Sequence, residues 1–168
     1  ELAQASIDLR YYIWQRDIPG LLLLDAMWRA ADRGVKVRML LDDNGVPELE
    51  AELAELNAHP NIEVRLFNPF VLRSPRIASY LLDFSRLNRR MHNKSFTIDN
   101  VATVVGGRNI GDIYFSRNEG VNYFDLDVVA LGQAALDVSD DFDLYWASPS
   151  SVPAEALLPA SATPGALA

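Results

Sequence analysis

Apolar residues recur along the chain with two different periods, and these periods predict an alternation of strands and helices. The segment 7–14 alternates and is rich in β-forming residues, which predicts a strand. The segment 19–34 has helical spacing, with Pro19 at its start and Gly34 at its end, as is typical of a helix. The pattern continues with a strand at 35–41, a helix at 47–58 and a strand at 61–67. This order predicts an α/β domain with a mixed, largely parallel sheet flanked by helices.

The second half of the chain departs from this simple alternation. A helix is predicted over 77–88, and two strands over 91–99 and 101–107 meet at Asp99-Asn100, a dipeptide suited to a tight hairpin. Further elements are a short helix at 110–116, a strand at 123–131 and a helix at 133–147. From Ser148 onward the chain is rich in Pro, Ser and Ala, which is linker composition. We therefore expect one domain over 1–147 and a linker over 148–168.

Polar side chains share the inward face of the first hairpin strand. In "RRMHNKSFTIDN" (89–100), His92 and Lys94 alternate in phase with Phe96 and Ile98. Residues two apart on a strand point the same way, so a histidine and a lysine occupy a face that otherwise belongs to the core. This placement indicates a functional site.

Composition and charge narrow the classes of function. The 168 residues include no cysteine, which excludes disulfides, thiolate zinc sites and cysteine nucleophiles. The net charge is −8, and residues 118–168 hold no Lys or Arg. Between 86 and 108 the balance reverses, with basic residues at Arg86, Arg89, Arg90, Lys94 and Arg108. A local positive field in an acidic protein suits a small anionic group, whereas nucleic-acid binding normally needs a broad basic surface.

Six residues form a spaced motif, H-x-K-x4-D-x6-G-G-x-N, made of His92, Lys94, Asp99, Gly106, Gly107 and Asn109. The paired glycines end the second hairpin strand, where a backbone without Cβ can approach a ligand closely. If the hairpin forms, His92, Lys94 and Asn109 converge. An imidazole, an ammonium and an amide donor are suited to binding and attacking a phosphoryl group.

Two further roles follow from this chemistry. A catalytic histidine needs a carboxylate on its other ring nitrogen, and Asp125 and Asp127 share one face of the strand 123–131. Asp99 falls at the hairpin end, where we expect a structural role in holding the turn or a neighbouring arginine.

The motif resembles the HKD motif of the phospholipase D superfamily. The resemblance is greatest to the bacterial cardiolipin synthase branch, within it to the C type, and covers most of residues 1–147. It rests on the segments "RRMHNKSFTIDN", "VVGGRNIGDIYF", "DLDVVALG" and "IDLRYYIWQRDIPGLLLLDAMWRAADRGVKVRMLLDD".

The resemblance implies a role for each motif residue in a phospholipase D-like half. His92 would be the catalytic histidine, Lys94 and Asn109 would bind phosphate together with Gly107, and Asp125 would orient His92. Gly106 and Gly107 would form the close-packed turn. The family needs no metal or other cofactor, and its reaction passes through a phosphohistidine.

The chain departs from the family in carrying one motif where family members combine two. Its other histidine, His59, has no lysine two residues later. We expect the second half to come from a missing C-terminal part of a larger protein or from a homodimer mate. The isolated chain should then be inactive. The implied substrate is a phosphatidylglycerol-like phospholipid, and the implied location is peripheral, at the bacterial cytoplasmic membrane.

Two other functions use the same residues. A phosphodiesterase or nuclease would use the half-site with water as acceptor, although the acidic net charge argues against nucleic acid. A non-catalytic binding domain would keep the fold without a complete site.

Overall fold

The computed structural model of the chain describes residues 2–70 and 87–158. Its first part alternates strands and helices as predicted, and the helix predicted over 77–88 lies almost wholly outside the described residues. The elements in this part are β1 Ser6–Tyr11, α1 Ile18–Asp32, β2 Lys36–Asp42, α2 Glu50–Asn57 and β3 Ile62–Phe67.

The second described part contributes four strands and one long helix. These are β4 Ser95–Ile98, β5 Ala102–Gly106, β6 Asp127–Leu131, α3 Gln133–Trp146 and β7 Ser151–Pro153. The short helix predicted at 110–116 is a single 3-10 turn, Asp112–Tyr114. The strand predicted over 123–131 begins only at Asp127.

The described strands form one sheet of seven in the order β6-β5-β4-β1-β2-β3-β7. The predicted mixed α/β architecture is confirmed, but the sheet is not largely parallel. Only β1 with β2 and β2 with β3 pair in parallel, and the four other pairings are antiparallel. The close turn at Asp99-Asn100 makes β4 and β5 antiparallel, as the predicted hairpin requires. The other three antiparallel pairings, β1 with β4, β3 with β7 and β5 with β6, join strands that no short turn connects, so local sequence does not specify them.

The two faces of the sheet are covered differently. One face of β1, β2 and β3 packs against α1 and α2 in the main apolar core, which includes Leu9, Met39 and Val64. The other face carries α3 through a smaller apolar cluster and two ion pairs, Arg10 with Asp141 and Arg38 with Asp143. Arg38, for example, binds Asp8 at 2.6 Å and Asp143 at 2.8 Å.

The hairpin predicted at Asp99-Asn100 forms between β4 and β5. Both residues have positive φ, 53° and 56°, which matches the twist of paired strands. The Asp99 carboxylate accepts hydrogen bonds from the backbone N–H groups of Gln4, Ala5 and Ser6 at 2.8–2.9 Å. Asp99 thus fixes the turn to the start of β1, and it contacts backbone groups rather than an arginine.

We expect an Asp99→Ala change to lower the free energy of unfolding by about 1–2 kcal/mol at pH 7, since three hydrogen bonds to a carboxylate are lost. Desolvation acts in the opposite direction, but these backbone donors lower the pKa of Asp99 below 3.8. The contribution of Asp99 to the free energy of unfolding should be complete above pH 3.8 and lost as the pH falls through the folded-state pKa. Denaturant unfolding measures this, with Asp99→Asn as the control that keeps the turn preference. Equal stability of wild type and Asp99→Ala would contradict it.

The chain beyond α3 is part of the domain, so the linker does not begin at Ser148. β7 pairs antiparallel with β3, from Arg65–Pro153 to Phe67–Ser151. Ala154 and Leu158 belong to the main core. Pro and Ser composition misled the prediction because a short edge strand needs few apolar residues and tolerates proline.

Candidate active site

Asp99 lies at the hairpin turn, at one end of the sheet, whereas all the other motif residues lie at the opposite end. β1 ends there at Tyr11 and β2 at Asp42, while the antiparallel β4 begins there. The extended segment 91–94 before β4 places His92 and Lys94 at this end of the strands. Further along, Phe96 and Ile98 pack against the core as the alternation predicted.

His92 and Lys94 contact each other directly. Lys94 Nζ lies 3.2 Å from His92 Nδ1 and 3.3 Å from Nε2, and it donates a hydrogen bond to the His92 carbonyl oxygen at 2.8 Å. The imidazole also packs against the ring of Tyr12, with 5.1 Å between centroids. Tyr12 therefore supports both groups, since Lys94 Nζ is 5.6 Å from the centre of the same ring.

The Lys94 ammonium is buried. Its residue is only 6% exposed, and it makes no ion pair within residues 2–70 and 87–158. Desolvation lowers the pKa of Lys94, while the charge of Asp125 opposes this shift. A buried ammonium of this kind is suited to binding an anion, because the negative charge of the anion offsets the cost of removing the ammonium from water.

Asn109 and the two glycines complete the candidate site at this end of the strands. The Asn109 side chain is buried, and its Oδ1 accepts a hydrogen bond from the Ile13 N–H at 3.0 Å, which leaves Nδ2 as the donor end of the amide. A Cβ on Gly107 would lie 2.0 Å from Asp125 Oδ1, and one on Gly106 would lie 2.1 Å from Asp127 Oδ1. A side chain at residue 106 would also lie 2.5 Å from the Leu126 carbonyl oxygen, so only glycine fits there, whereas one at residue 107 would displace the Asp125 carboxylate.

The structure does not join either predicted carboxylate to His92. Asp127 binds Arg108 Nε at 2.6 Å, and Arg108 also donates to the Asp125 carbonyl oxygen at 2.8 Å. The Asp125 carboxylate accepts from the Leu126 N–H and is exposed. No hydrogen bond links Asp125 or Asp127 to His92 in the described part of the chain. The role of Asp125 in orienting His92 stays a prediction.

Asp42 is a supporting residue that the sequence reasoning missed. It is fully buried at the end of β2 and accepts hydrogen bonds from the Met91 N–H at 3.0 Å and Arg90 Nη1 at 3.1 Å. Met91 directly precedes His92, so Asp42 fixes the backbone that carries the imidazole. Its position at the carboxyl end of a parallel strand was the signal available in the sequence.

Stability should depend on pH through Asp42. Burial raises its pKa from 3.8 to about 6, against the opposing charge of Arg90. The contribution of Asp42 to the free energy of unfolding is therefore complete below pH 3.8 and is lost as the pH rises through about 6. This change is on the order of 3 kcal/mol. We expect Asp42→Asn to flatten the dependence of the unfolding free energy between pH 4 and 7, as measured by urea titration. An unchanged pH dependence would contradict this assignment.

A cavity of about 490 Å³ has Tyr12 among its lining residues. Its lining combines apolar side chains with charged and amide groups, among them Arg16, Asp17, Asn44 and Glu48. Arg16 is fixed by an ion pair with the buried Glu52 at 2.5 Å. The cavity adjoins the His92 site through Tyr12 and offers space for a polar group.

Residues 2–70 and 87–158 contain neither a metal-binding cluster nor a membrane-spanning helix. No set of three or more His, Cys, Asp and Glu side chains in these ranges is arranged to hold a metal ion. None of the helices described there is long and apolar enough to cross a bilayer.

Comparison with known proteins identifies the family. The family model described as "Cardiolipin synthase, PLD-like domain" matches residues 1–146. The chain belongs to this family. It is also 56% identical to cardiolipin synthase C of Escherichia coli, over 94% of this chain and 33% of that protein. The major cardiolipin synthase of Bacillus subtilis is 35% identical over 86% of this chain and 28% of that protein. The phospholipase D-like chain thus spans about a third of the length of these relatives.

Solved structures share the fold at low sequence identity. NucT from Helicobacter pylori matches with a TM-score of 0.62 and 18% identity, over 90% of this chain and 83% of that one. Phosphatidylserine synthase from Haemophilus influenzae matches with a TM-score of 0.65 and 17% identity, over 92% of this chain and 34% of that one. The phospholipase D fold predicted from the motif is therefore confirmed.

Proposed function

We propose that the whole protein to which this chain belongs is a phosphatidyltransferase of the cardiolipin synthase type. The observation that carries the proposal is the buried Lys94 ammonium, which contacts the His92 imidazole and makes no ion pair among residues 2–70 and 87–158. The Lys94 ammonium neutralises the negative charge of a bound phosphodiester, and the His92 imidazole lies within reach of its phosphorus. The 56% identity to a cardiolipin synthase supports a phospholipid as the substrate.

In the proposed reaction, an imidazole nitrogen attacks phosphorus and the bond to the leaving alcohol breaks. A second imidazole donates the proton that this alcohol takes up. The hydroxyl group of another phospholipid then attacks the phosphohistidine, releases the imidazole and returns its proton to the second imidazole. Lys94 and Asn109 bind the phosphoryl oxygens, and the backbone at Gly107 allows their close approach. His92 supplies one of the two imidazoles.

The chain therefore provides half of the site. Its relatives are about three times longer, which supports a second half in another part of the same protein rather than in a homodimer mate. The cavity beside Tyr12 has the size and polarity for a phospholipid headgroup. We propose that the protein acts peripherally at the cytoplasmic membrane, where its substrates lie.

The test is to incubate the whole protein with vesicles that contain labelled phosphatidylglycerol and to separate the lipid products. Labelled cardiolipin is the expected product, and the isolated 168-residue chain should form none. Release of phosphatidic acid alone would favour a phosphodiesterase that uses water, and cleavage of oligonucleotides without lipid products would favour a nuclease. Cardiolipin formation by the isolated chain would overturn the half-site proposal.

A further inference from the structure

Three large apolar side chains are exposed where α1 begins and just after a neighbouring turn. Ile18 is 52% exposed, Leu22 63% and Phe115 43%. Ile18 and Leu22 lie four residues apart on α1 and therefore on the same side of the helix. Phe115 directly follows the 3-10 turn Asp112–Tyr114. These three residues are here called the tip surface.

Direct contacts join the start of α1 to the turn before Phe115. Asp17, which immediately precedes Ile18, accepts a hydrogen bond from the Asp112 N–H at 2.5 Å. The Gln15 side chain packs against Gly111, where a Cβ would lie 2.1 Å from Gln15 Oε1. The two parts of the tip surface are therefore neighbours, although they lie far apart in sequence.

The tip surface lies at the end of the sheet that carries the candidate site. α1 follows β1, and β1 ends at that end of the sheet. Arg16 and Asp17, which precede Ile18, line the cavity of about 490 Å³ together with Tyr12. Tyr12 in turn contacts His92. Whatever binds the tip surface is thus held next to the cavity and the site.

The exposed side of α1 changes from apolar to charged along the helix. After Ile18 and Leu22, the next residues at helical spacing are Asp25 and Arg29, which form an ion pair at 2.7 Å. The apolar end is the one beside the site. This gradient favours insertion of one end of the domain into a bilayer over a protein partner that lies along the whole helix.

The backbone at the start of α1 suits an apolar medium. The first N–H groups of a helix have no acceptor within the helix, and such donors are costly in hydrocarbon. Here Pro19 has no N–H, and Asp17 Oδ1 accepts from the Gly20 N–H at 3.1 Å. The start of α1 therefore presents apolar side chains with few unpaired donors.

Two arginines flank the tip surface in sequence, Arg16 before Ile18 and Arg117 after Phe115. Their side chains are 48% and 51% exposed, and each pairs through Nε with a carboxylate, Glu52 at 2.5 Å and Asp112 at 3.3 Å respectively. A guanidinium has five N–H donors, so each arginine keeps donors for a lipid phosphate. The net charge of −8 disfavours general attraction to anionic lipids, so the apolar side chains must supply most of the affinity.

We propose that the tip surface inserts into the headgroup region of a phospholipid bilayer and so holds the cavity and the site beside the lipid phosphates. This inference rests on the proposed function, in which the substrates are bilayer lipids, and it identifies the part of the chain that meets the bilayer. The occupant is the lipid surface because the apolar residues adjoin a site whose proposed substrates lie there.

Fluorescence quenching in the whole protein tests the insertion locally and without catalysis. The probe is Ile18→Trp with vesicles of phosphatidylglycerol and phosphatidylcholine that carry brominated acyl chains. Its fluorescence in excess of the wild type should be quenched several-fold more than that of Val101→Trp. Val101 is the matched control, since it is 61% exposed and lies at the hairpin, at the opposite end of the sheet. Equal quenching of the two variants would overturn the proposal.

A pair of charge-inserting variants measures the contribution to binding and turnover. Leu22→Asp should weaken vesicle binding of the whole protein by about tenfold, because burial of a leucine in lipid is lost, while Val101→Asp should change it little. The rate of Leu22→Asp on vesicles should also fall several-fold more than its rate on short-chain phosphatidylglycerol dispersed as monomers. Circular dichroism checks that both variants fold. An equal fall of the two rates, with normal vesicle binding, would indicate local damage and overturn the proposal.

A protein that covers the tip surface is the competing occupant. In that case the tryptophan introduced by Ile18→Trp would emit at short wavelength before any vesicles are added, and this result would overturn the proposal. Emission at long wavelength that shifts to shorter wavelength on addition of vesicles supports it. Vesicle-dependent quenching in a protein that forms no cardiolipin would refute the proposed function and leave the tip surface intact.

Discussion

Replacing His92 with alanine in the whole protein should lower phosphatidyl transfer by on the order of 10³-fold or more. The loss is expected because, among the described residues, no other group near the proposed phosphate site offers a nucleophilic or proton-donating imidazole. The other histidine, His59, binds Asp32 and Asn61 at the turn between α2 and β3. Thin-layer separation of labelled lipids measures the product.

His59→Ala is the matched control for this prediction. Its ring packs on Trp28, so the change affects local packing and should leave turnover close to that of the wild type. Thermal unfolding of both variants separates loss of chemistry from loss of fold. Undiminished cardiolipin formation by His92→Ala would exclude His92 as an essential group and with it the proposed half-site.

Replacing Lys94 with methionine should have opposite effects on activity and stability. Activity should fall by about 10²–10³-fold, because one charged donor to the phosphoryl oxygens is removed. Stability should stay the same or rise, because burial lowers the pKa of Lys94 and methionine does not carry the desolvation cost of the ammonium. Steady-state lipid assays and denaturant unfolding measure the two effects.

The chain provides its own control in Lys36, its only other lysine. Lys36 is exposed at the start of β2 and contacts Asn61, so Lys36→Met should change activity little. A loss of stability in Lys94→Met with normal activity would indicate a structural lysine. That outcome would remove the main support for a phosphate site at His92.

Much of the secondary structure was predictable because its signals are local. The helix over 19–34 was marked by Pro19 and Gly34, and α1 spans Ile18–Asp32 with Asp17 as its N-cap. Asp99 and Asn100 specified the hairpin because both readily adopt positive φ. Lys94 and Phe96 were expected on the same side of the strand because residues two apart in an extended chain point the same way.

The errors came from contacts between residues that are distant in sequence. Nothing near β4 indicates that it pairs with β1 in the antiparallel sense, so the sheet was expected to be largely parallel. The tail looked like a linker because the partner of β7 is β3, more than 80 residues earlier. Asp42 was overlooked because its hydrogen bond to Met91 crosses 49 residues.

The sequence by itself determined most of the strands and helices, the turn at Asp99-Asn100 and the residue types of the proposed phosphate site in one spaced motif. These follow from backbone preferences and from periods of a few residues. Only the tertiary structure decided that Tyr12 and Asp42 support His92, that Lys94 is buried with no carboxylate partner among the described residues, and that Val129 and Leu131 of β6 are exposed. These properties depend on strand order and helix coverage, which result from the packing of the whole chain.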